Sequence, residues 1–246
     1  MARSTVAVRF TGDTADLKKS LGQIDGNMAK VGTTTKRTGD KFAKFAKAGA
    51  LGFAAVAVAG KSLIDAGSDL NETLSKSNTV FRRNAKEIES WADTAASSFG
   101  QSKKQALEAA SSFGNMFVQL GITEDAAADM SVQMTELASD FASFHNADIT
   151  EVLQAQQAAF RGEYDAVQRF VPTITAAAVE QKALEMGLAA TTGELTAQDK
   201  ALATQALLME EAGDAMGDFE RTSSGLANTQ RTLSAQFADV SAKIGQ

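Results

Sequence analysis

The chain has 246 residues, of which 44% are hydrophobic and 22% are charged, a composition that excludes a fully disordered protein. One proline and no cysteine favour long helices and exclude disulfides, thiolate metal sites and cysteine nucleophiles. The net charge of -6 is unevenly divided, because residues 1–61 carry +7 and residues 62–246 carry -13.

The N-terminal segment predicts a short strand followed by a helix. Its first residues contain no long apolar stretch, so no secretory signal is predicted. Apolar and polar residues alternate from Thr5 to Phe10, as in a β-strand, and Asp13 or Thr14 then suits the start of a helix. The apolar residues of this helix recur in steps of four and three, like a coiled-coil seam: Leu17, Leu21, Ile24, Met28 and Val31. Since the seam covers about two heptads, self-association and ordinary packing on a core remain equal alternatives.

Basic side chains cluster in this helix, in the loop Gly32–Gly39 and just after it. They suit salt-dependent contact with phosphate groups: Lys18, Lys19, Lys30, Lys36, Arg37, Lys41, Lys44 and Lys47. No aromatic platform or recognition-helix pattern accompanies them. The sequence therefore allows non-specific DNA contact and does not predict sequence-specific binding.

An apolar run from Ala48 to Gly60 follows, flanked by lysines. As a helix it would extend about 20 Å, less than the roughly 30 Å of a bilayer core. Small residues at four-residue spacing would let another helix approach closely: Ala46, Ala50 and Ala54, and in a second row Ala55 and Ala59. This pattern favours a helix packed within protein, with transient membrane contact as the alternative.

Beyond this run, the sequence predicts helix after helix. Four pairs resemble capping boxes: Asn84 with Glu87, Ser102 with Gln105, Asp148 with Glu151, and Thr196 with Asp199. Six glycines mark candidate breaks: Gly100, Gly114, Gly121, Gly162, Gly187 and Gly193. A helix from about Ser102 is expected to bury Ala106, Ala109, Ala110, Phe113, Phe117 and Leu120. The next, from Thr123, is expected to bury Ala127, Met130, Met134, Leu137, Phe141 and Phe144, and the pattern continues through Val152, Leu153, Ala155, Ala159 and Phe160.

Two further helices, about Thr196 to Phe219 and Ser223 to Ile244, are expected to be exposed and polar. The predicted fold class is all-α, a multi-helix bundle or elongated helical array with a short N-terminal β-strand. We divide the chain into a basic strand-helix segment and linker (1–40), an apolar small-residue-rich helix (41–66), a helical domain (67–190) and extended polar helices (191–246). The helical pattern is still running at Gln246, so we expect a longer parent chain.

The residues that stand out chemically do not form a recognisable reactive group. His145 lies near Asp140 and Asp148, but one histidine and two carboxylates are a weak metal pattern. A histidine at a helix C-terminus, bonded to nearby carbonyls, is the favoured interpretation. Trp91 and Tyr164 are expected to be core or interface anchors. No catalytic residue, cofactor site or metal site is predicted, and we expect that the protein is not an enzyme.

Three runs of sequence carry a resemblance to a known family. The first is NETLSKSNTVFRRNAKEIESWADTAASSFGQSKKQALEAASSFGNMFVQLGI, from Asn71. The second includes LASDFASFHNADITEVLQAQQAAFRGEYDAVQRF, and the third is GDFERTSSGLANTQRTLSAQFADVSAKIG, from Gly217. Over roughly Ala66 to Gly245, these runs resemble the tail tape measure proteins of long-tailed bacteriophages and prophages.

The resemblance implies a mostly helical structural protein of the virion, located in the lumen of the tail tube and in the host cytoplasm during assembly. Such a protein sets tail length and leaves the tail ahead of the DNA. Its implied partners are the tail-tube protein, tail assembly chaperones, tail-tip proteins and further copies of itself. Family members are usually much longer, which again favours an N-terminal part or a shortened variant over a complete ruler. The alternative is a membrane-active, envelope-penetrating helical protein that uses residues 41–65.

Overall fold

The structure, a computed structural model, describes residues 60–245. Within that range every regular element is a helix, which confirms the all-α prediction for this part of the chain. The predicted strand, the seam, the basic cluster and the small-residue rows lie outside the described residues. Residues Ile64–Gln246 form one compact unit. Residues 191–245 pack on the same core as residues 67–190, and the four-part division stays a prediction.

Ten α-helices follow one another in the described range, with short 3-10 turns at Arg82–Asn84, Val167–Arg169, Thr192–Glu194 and Gly213–Ala215. They are α1 (Gly60–Phe81), α2 (Ala85–Ala92), α3 (Ala95–Ser98), α4 (Lys103–Gln119), α5 (Glu124–Phe144), α6 (Ile149–Phe160), α7 (Ala176–Glu185), α8 (Ala197–Glu211), α9 (Asp218–Arg221) and α10 (Leu226–Gly245).

Helices α4 and α5 pack along one another and carry the main hydrophobic core. The rings of Phe113, Phe117 and Phe160 stack or meet edge to face, and Met134 and Phe141 are fully buried beside them. Helices α6, α7 and α8 close this core. A second cluster joins α1, α2 and α4 to Phe219 and Ala242 near the C-terminus.

Two of the four predicted capping boxes are confirmed and two are not. Ser102 with Gln105 and Thr196 with Asp199 form complete boxes at the starts of α4 and α8. Asp148 caps α6 alone, accepting from the amide of Thr150, while Glu151 pairs with Arg169. Asn84 makes no cap, because its own backbone is already helical (φ -87°, ψ -4°), and its amide nitrogen donates to Asp125 at the start of α5 at 2.8 Å. Tertiary contact therefore replaces the local motif at two sites.

Three other expectations are corrected. Phe144 is 49% exposed instead of buried, since it lies in the last turn of α5. Gly114 does not break a helix but lies inside α4, where the Phe81 ring approaches its backbone. The helix expected from Thr196 to Phe219 ends at Glu211, and it is not merely exposed: Ala201, Ala203, Thr204 and Leu208 are buried.

Candidate functional site

The three aromatic residues that stood out in the sequence contribute to packing. Trp91 stacks on Phe99 with ring centroids 5.3 Å apart, and its indole nitrogen donates to Glu136 at 2.8 Å. Tyr164 is partly buried against the main core. His145 caps the end of α5, but its ring contacts the rings of Phe141, Phe144 and Phe170 instead of the expected carbonyls.

The turn that follows α6 contains an internal ion pair. Arg161 and Glu163 lie 3.8 Å apart across it. Gly162 between them has a φ of +88°, a backbone conformation that glycine adopts without strain.

The most elaborate polar arrangement among the described residues lies where the C-terminal segment meets α4 and α5. We call residues 217–245 the strap. Asp140, on α5, accepts from the backbone N–H groups of Gly217 at 2.7 Å and Phe219 at 3.0 Å. It thus caps the short helix α9 from a distant position in the chain, as a carboxylate at a helix N-terminus does. Phe219 is 2% exposed and anchors the strap in the second cluster.

A hydrogen-bonded network extends this contact one turn further along α5. Ser143 donates to the carboxylate of Asp218, and the Asn228 amide donates to Ser143 at 2.7 Å and to Thr222 at 2.8 Å. Arg231 donates to Asn228 and also to the backbone carbonyls of Ala142, in the last turn of α5, and of Ala147, just beyond it. Each polar side chain of this network therefore has a partner, and the network fixes the start of α10 against α5.

Further along the strap, Asp239 accepts from the backbone N–H of Lys103 at 2.7 Å, in the first turn of α4. The Lys103 side chain turns the other way and pairs with both Glu89 and Asp93 at 2.8 Å. Asp239 is thus a cap supplied from 136 residues away, added to the local capping box of the same helix.

Burial shifts the protonation of these groups. It raises the pKa of Asp140, although the amides of Gly217 and Phe219 act in the opposite direction. Burial also raises the pKa of Asp239 to about 6, against the lowering effect of the Lys103 amide and charge. For Lys103, burial alone would lower the pKa, but hydrogen bonds and charge from Asp93 and Glu89 outweigh it and the pKa is raised.

A groove of about 570 Å³ remains between the strap and the domain. Phe99, Ala142, Phe219 and Ala235 line its apolar part, and Arg231 lies in its wall. Because the guanidinium already donates to three acceptors, the groove offers no free cation for a ligand.

The candidate metal ligands are not brought together. Asp140 binds the strap amides and Asp148 caps α6, so each carboxylate serves the backbone. Within the residues that the structure describes, no group of three His, Asp or Glu side chains could hold a metal ion. Burial and the charge of Arg169 lower the pKa of His145. In the same part of the chain, no helix is long and apolar enough to cross a membrane.

The strap contacts are the part of the candidate site that the sequence did not predict. Asp140, Ser143, Asn228, Arg231 and Asp239 are ordinary polar residues on helices and follow no local motif. Their partners lie 75 or more residues away in most cases, so only the fold reveals them. The one available signal was the third resembling run, which begins at Gly217, the residue where the strap begins.

Searches of the chain against protein-family models, curated proteins and solved structures found no match.

Proposed function

We propose that this chain is a structural segment of a phage tail tape measure protein, which sets tail length during assembly and is ejected ahead of the DNA. The proposal rests first on the three ordered runs that resemble this family, from Asn71 to Gly245. In this proposal the protein resides in the lumen of the tail tube and meets the tail-tube protein, assembly chaperones, tail-tip proteins and other copies of itself.

The observation that carries the proposal is the structural role of the three resembling runs. All three form helices of the compact unit, and their distinctive residues serve packing and capping. Trp91 and Phe99 stack between α2 and α4, Ser102 caps α4, and Asp140 holds the strap. Such use of specific residues supports a scaffold or assembly role.

In this proposal, setting tail length and forming a folded assembly domain belong to different parts of the protein. A folded unit has a fixed size, whereas an extended helix adds about 1.5 Å for each residue and therefore converts chain length into distance. We therefore assign the ruling of tail length to chain outside residues 64–245. The compact unit would serve as a folded domain that takes part in assembly.

The test is a series of in-frame internal deletions in the intact gene, placed outside the segment that encodes residues 64–245. Tail length, measured by electron microscopy, should shorten by about 1.5 Å for each residue removed. Restoring the deleted segment with an unrelated helical sequence of equal length is the matched control, and it should restore tail length. Tails of unchanged length in the deletion series would contradict the proposal.

A further inference from the structure

The strap is attached to the domain chiefly by polar groups, while the neighbouring α4–α5 contact is apolar. From α10, the buried residues are Asn228, Thr229, Ala235 and Ala242. The α4–α5 contact instead buries large side chains such as Phe117 and Phe141. Burying a large apolar side chain contributes more than burying a methyl-sized group, because the contribution grows with the apolar area removed from water. Helix α10 therefore has much less hydrophobic stabilisation per residue than α4 and α5, and Phe219 is the one large side chain that the strap buries fully.

Helix α10 does not use its most apolar face for this attachment. Asn228, Ala235 and Ala242 are buried and recur every seven residues. Leu226 and Leu233 also lie seven residues apart, but Leu226 is 60% exposed and Leu233 is only partly buried. The two rows are offset by two residues, about 200° around a helix of 3.6 residues per turn. The apolar row thus lies opposite the docked row, and its burial adds little to docking.

Two further features oppose docking. Asp140 and Asp239 both lose water when the strap binds, and burial raises the pKa of each. The groove of about 570 Å³ beneath α10 also leaves part of the contact unfilled. The deepest apolar anchor is Phe219, whose ring rests directly on Gly100.

We propose that residues 217–245 detach from α3, α4 and α5 as one cooperative unit, at a lower free energy than the unfolding of the remaining helices. The inference stands on these contacts and does not depend on a role in phage tails. Detachment has a non-local signature, because the amide of Lys103 in α4 has its acceptor, Asp239, on the strap. The neighbouring amide of Ala106 has its acceptor, Ser102, at the start of its own helix.

The test is native-state hydrogen exchange of the full chain over a series of low urea concentrations. We expect the amides of Lys103, Gly217 and Phe219 to share one opening free energy with the strap helix. The amides of Ala106 and Phe141 should open only with the core. Simple fraying from the C-terminal end would leave Gly217 and Phe219 protected, even where it reached Asp239 and released the Lys103 amide. Exchange of Lys103 at the free energy of the core would overturn the proposal.

A substitution that displaces the Phe219 ring gives a second, independent measurement of strap detachment. A Cβ at Gly100 would lie 2.7 Å from the Phe219 ring, so Gly100→Ala should push this anchor out of its place. The matched control is Gly187→Ala, because Gly187 has a φ of +71° against +72° for Gly100 but nothing within 4 Å of its Cβ position. Both substitutions place a side chain at nearly the same positive φ, and only one of them touches the strap.

We expect Gly100→Ala to lower the protection of the strap amides and of Lys103 by about fivefold or more beyond the control, since the added methyl group overpacks a filled contact. The amides of Phe117 and Phe141 should keep the protection they have in the control. Equal loss of protection in strap and core would overturn the proposal. If Gly100→Ala does not fold, the exchange pattern of the wild-type chain decides the matter.

Discussion

At the scale of single residues, two effects act in opposite directions on the charged form of Asp239. It accepts a hydrogen bond from the Lys103 amide, yet burial raises its pKa to about 6 from an ordinary value of 3.8. The folded state therefore takes up a proton at higher pH than the unfolded chain. The stabilising contribution of this group is complete below about pH 3.8 and is lost as the pH rises through 6. Above that pH, the folded domain holds a partly desolvated charge.

Asp239→Asn should stabilise the protein at pH 7, because the side-chain oxygen still accepts from Lys103 while the charge is removed. We expect a gain of about 1 kcal/mol, a discounted figure since the group keeps some contact with water. The gain should fade as the pH falls from 6 towards 4. Urea unfolding at several pH values measures this difference.

The control for this experiment is Asp129→Asn, which removes an exposed carboxylate of α5 that has no hydrogen bond or ion pair among the described residues. Its difference from wild type should change little between pH 4 and pH 7. A loss of stability in Asp239→Asn at pH 7 would show that the charge itself stabilises the docked strap.

Two buried glutamines allow a sharper comparison, since the amide nitrogen of Gln101 is paired, although its amide oxygen is not, and neither amide atom of Gln156 is. The side chain of Gln156 is fully buried, and neither of its amide atoms has a partner. Gln156→Met should therefore stabilise the protein by about 1–2 kcal/mol, because the unpaired polar atoms cost free energy when buried. Gln101→Met should destabilise it, because the Gln101 amide nitrogen donates to Thr135 and Ser139. The urea midpoints of the two variants should move in opposite directions, and a loss in both would contradict the argument.

At the scale of elements, the crossing of α1 and α4 depends on Gly114. A Cβ there would lie 2.5 Å from the ring of Phe81, which is 2% exposed and has little room to move. Alanine gains about 0.5–1 kcal/mol over glycine inside a helix. Overpacking at this crossing costs about 1–3 kcal/mol, so the steric effect should win.

We therefore expect Gly114→Ala to lower the free energy of unfolding by about 1 kcal/mol or more. The matched test is the same substitution in a Phe81→Leu background, where the smaller side chain leaves room for the added methyl group. Its cost should be smaller there, and this difference measures the coupling between the two positions. An equal cost in both backgrounds would show that the ring is not the cause.

The elements themselves were largely predictable, and the contacts between them were not. Helical periodicity and caps such as Ser102 and Thr196 gave the starts of α4 and α8, because these signals are local. Gly114 was misread because a glycine that permits close helix approach looks the same in sequence as one that ends a helix. The strap contacts were missed because Asp140 and Asp239 cap helices that are remote in the chain.

At the scale of the whole molecule, the compact fold of the described residues limits how well their number can set a length. A single helix with as many residues as this unit would extend about 270 Å. A compact domain of the same size has a radius of gyration of about 16 Å. While residues 64–245 remain folded, adding or removing residues in an exposed loop changes their dimensions very little. The folded unit therefore cannot serve as a residue-by-residue ruler.

The difference in length between a compact domain and a single helix leads to a prediction, which rests on the proposed role in tails. The loop between α7 and α8 is exposed around Gly193, and nothing lies within 4 Å of the Cβ position there. An insertion of about twenty Gly and Ser residues after Gly193 should be tolerated, because exposed loops accept added chain at little cost. We expect such phages to make tails of unchanged length. Lengthening by about 30–66 Å would instead show that this segment is extended in the tail, as one helix or as extended chain. Urea unfolding of the purified variant, compared with wild type, is the control that the domain still folds, and electron microscopy of tails supplies the length.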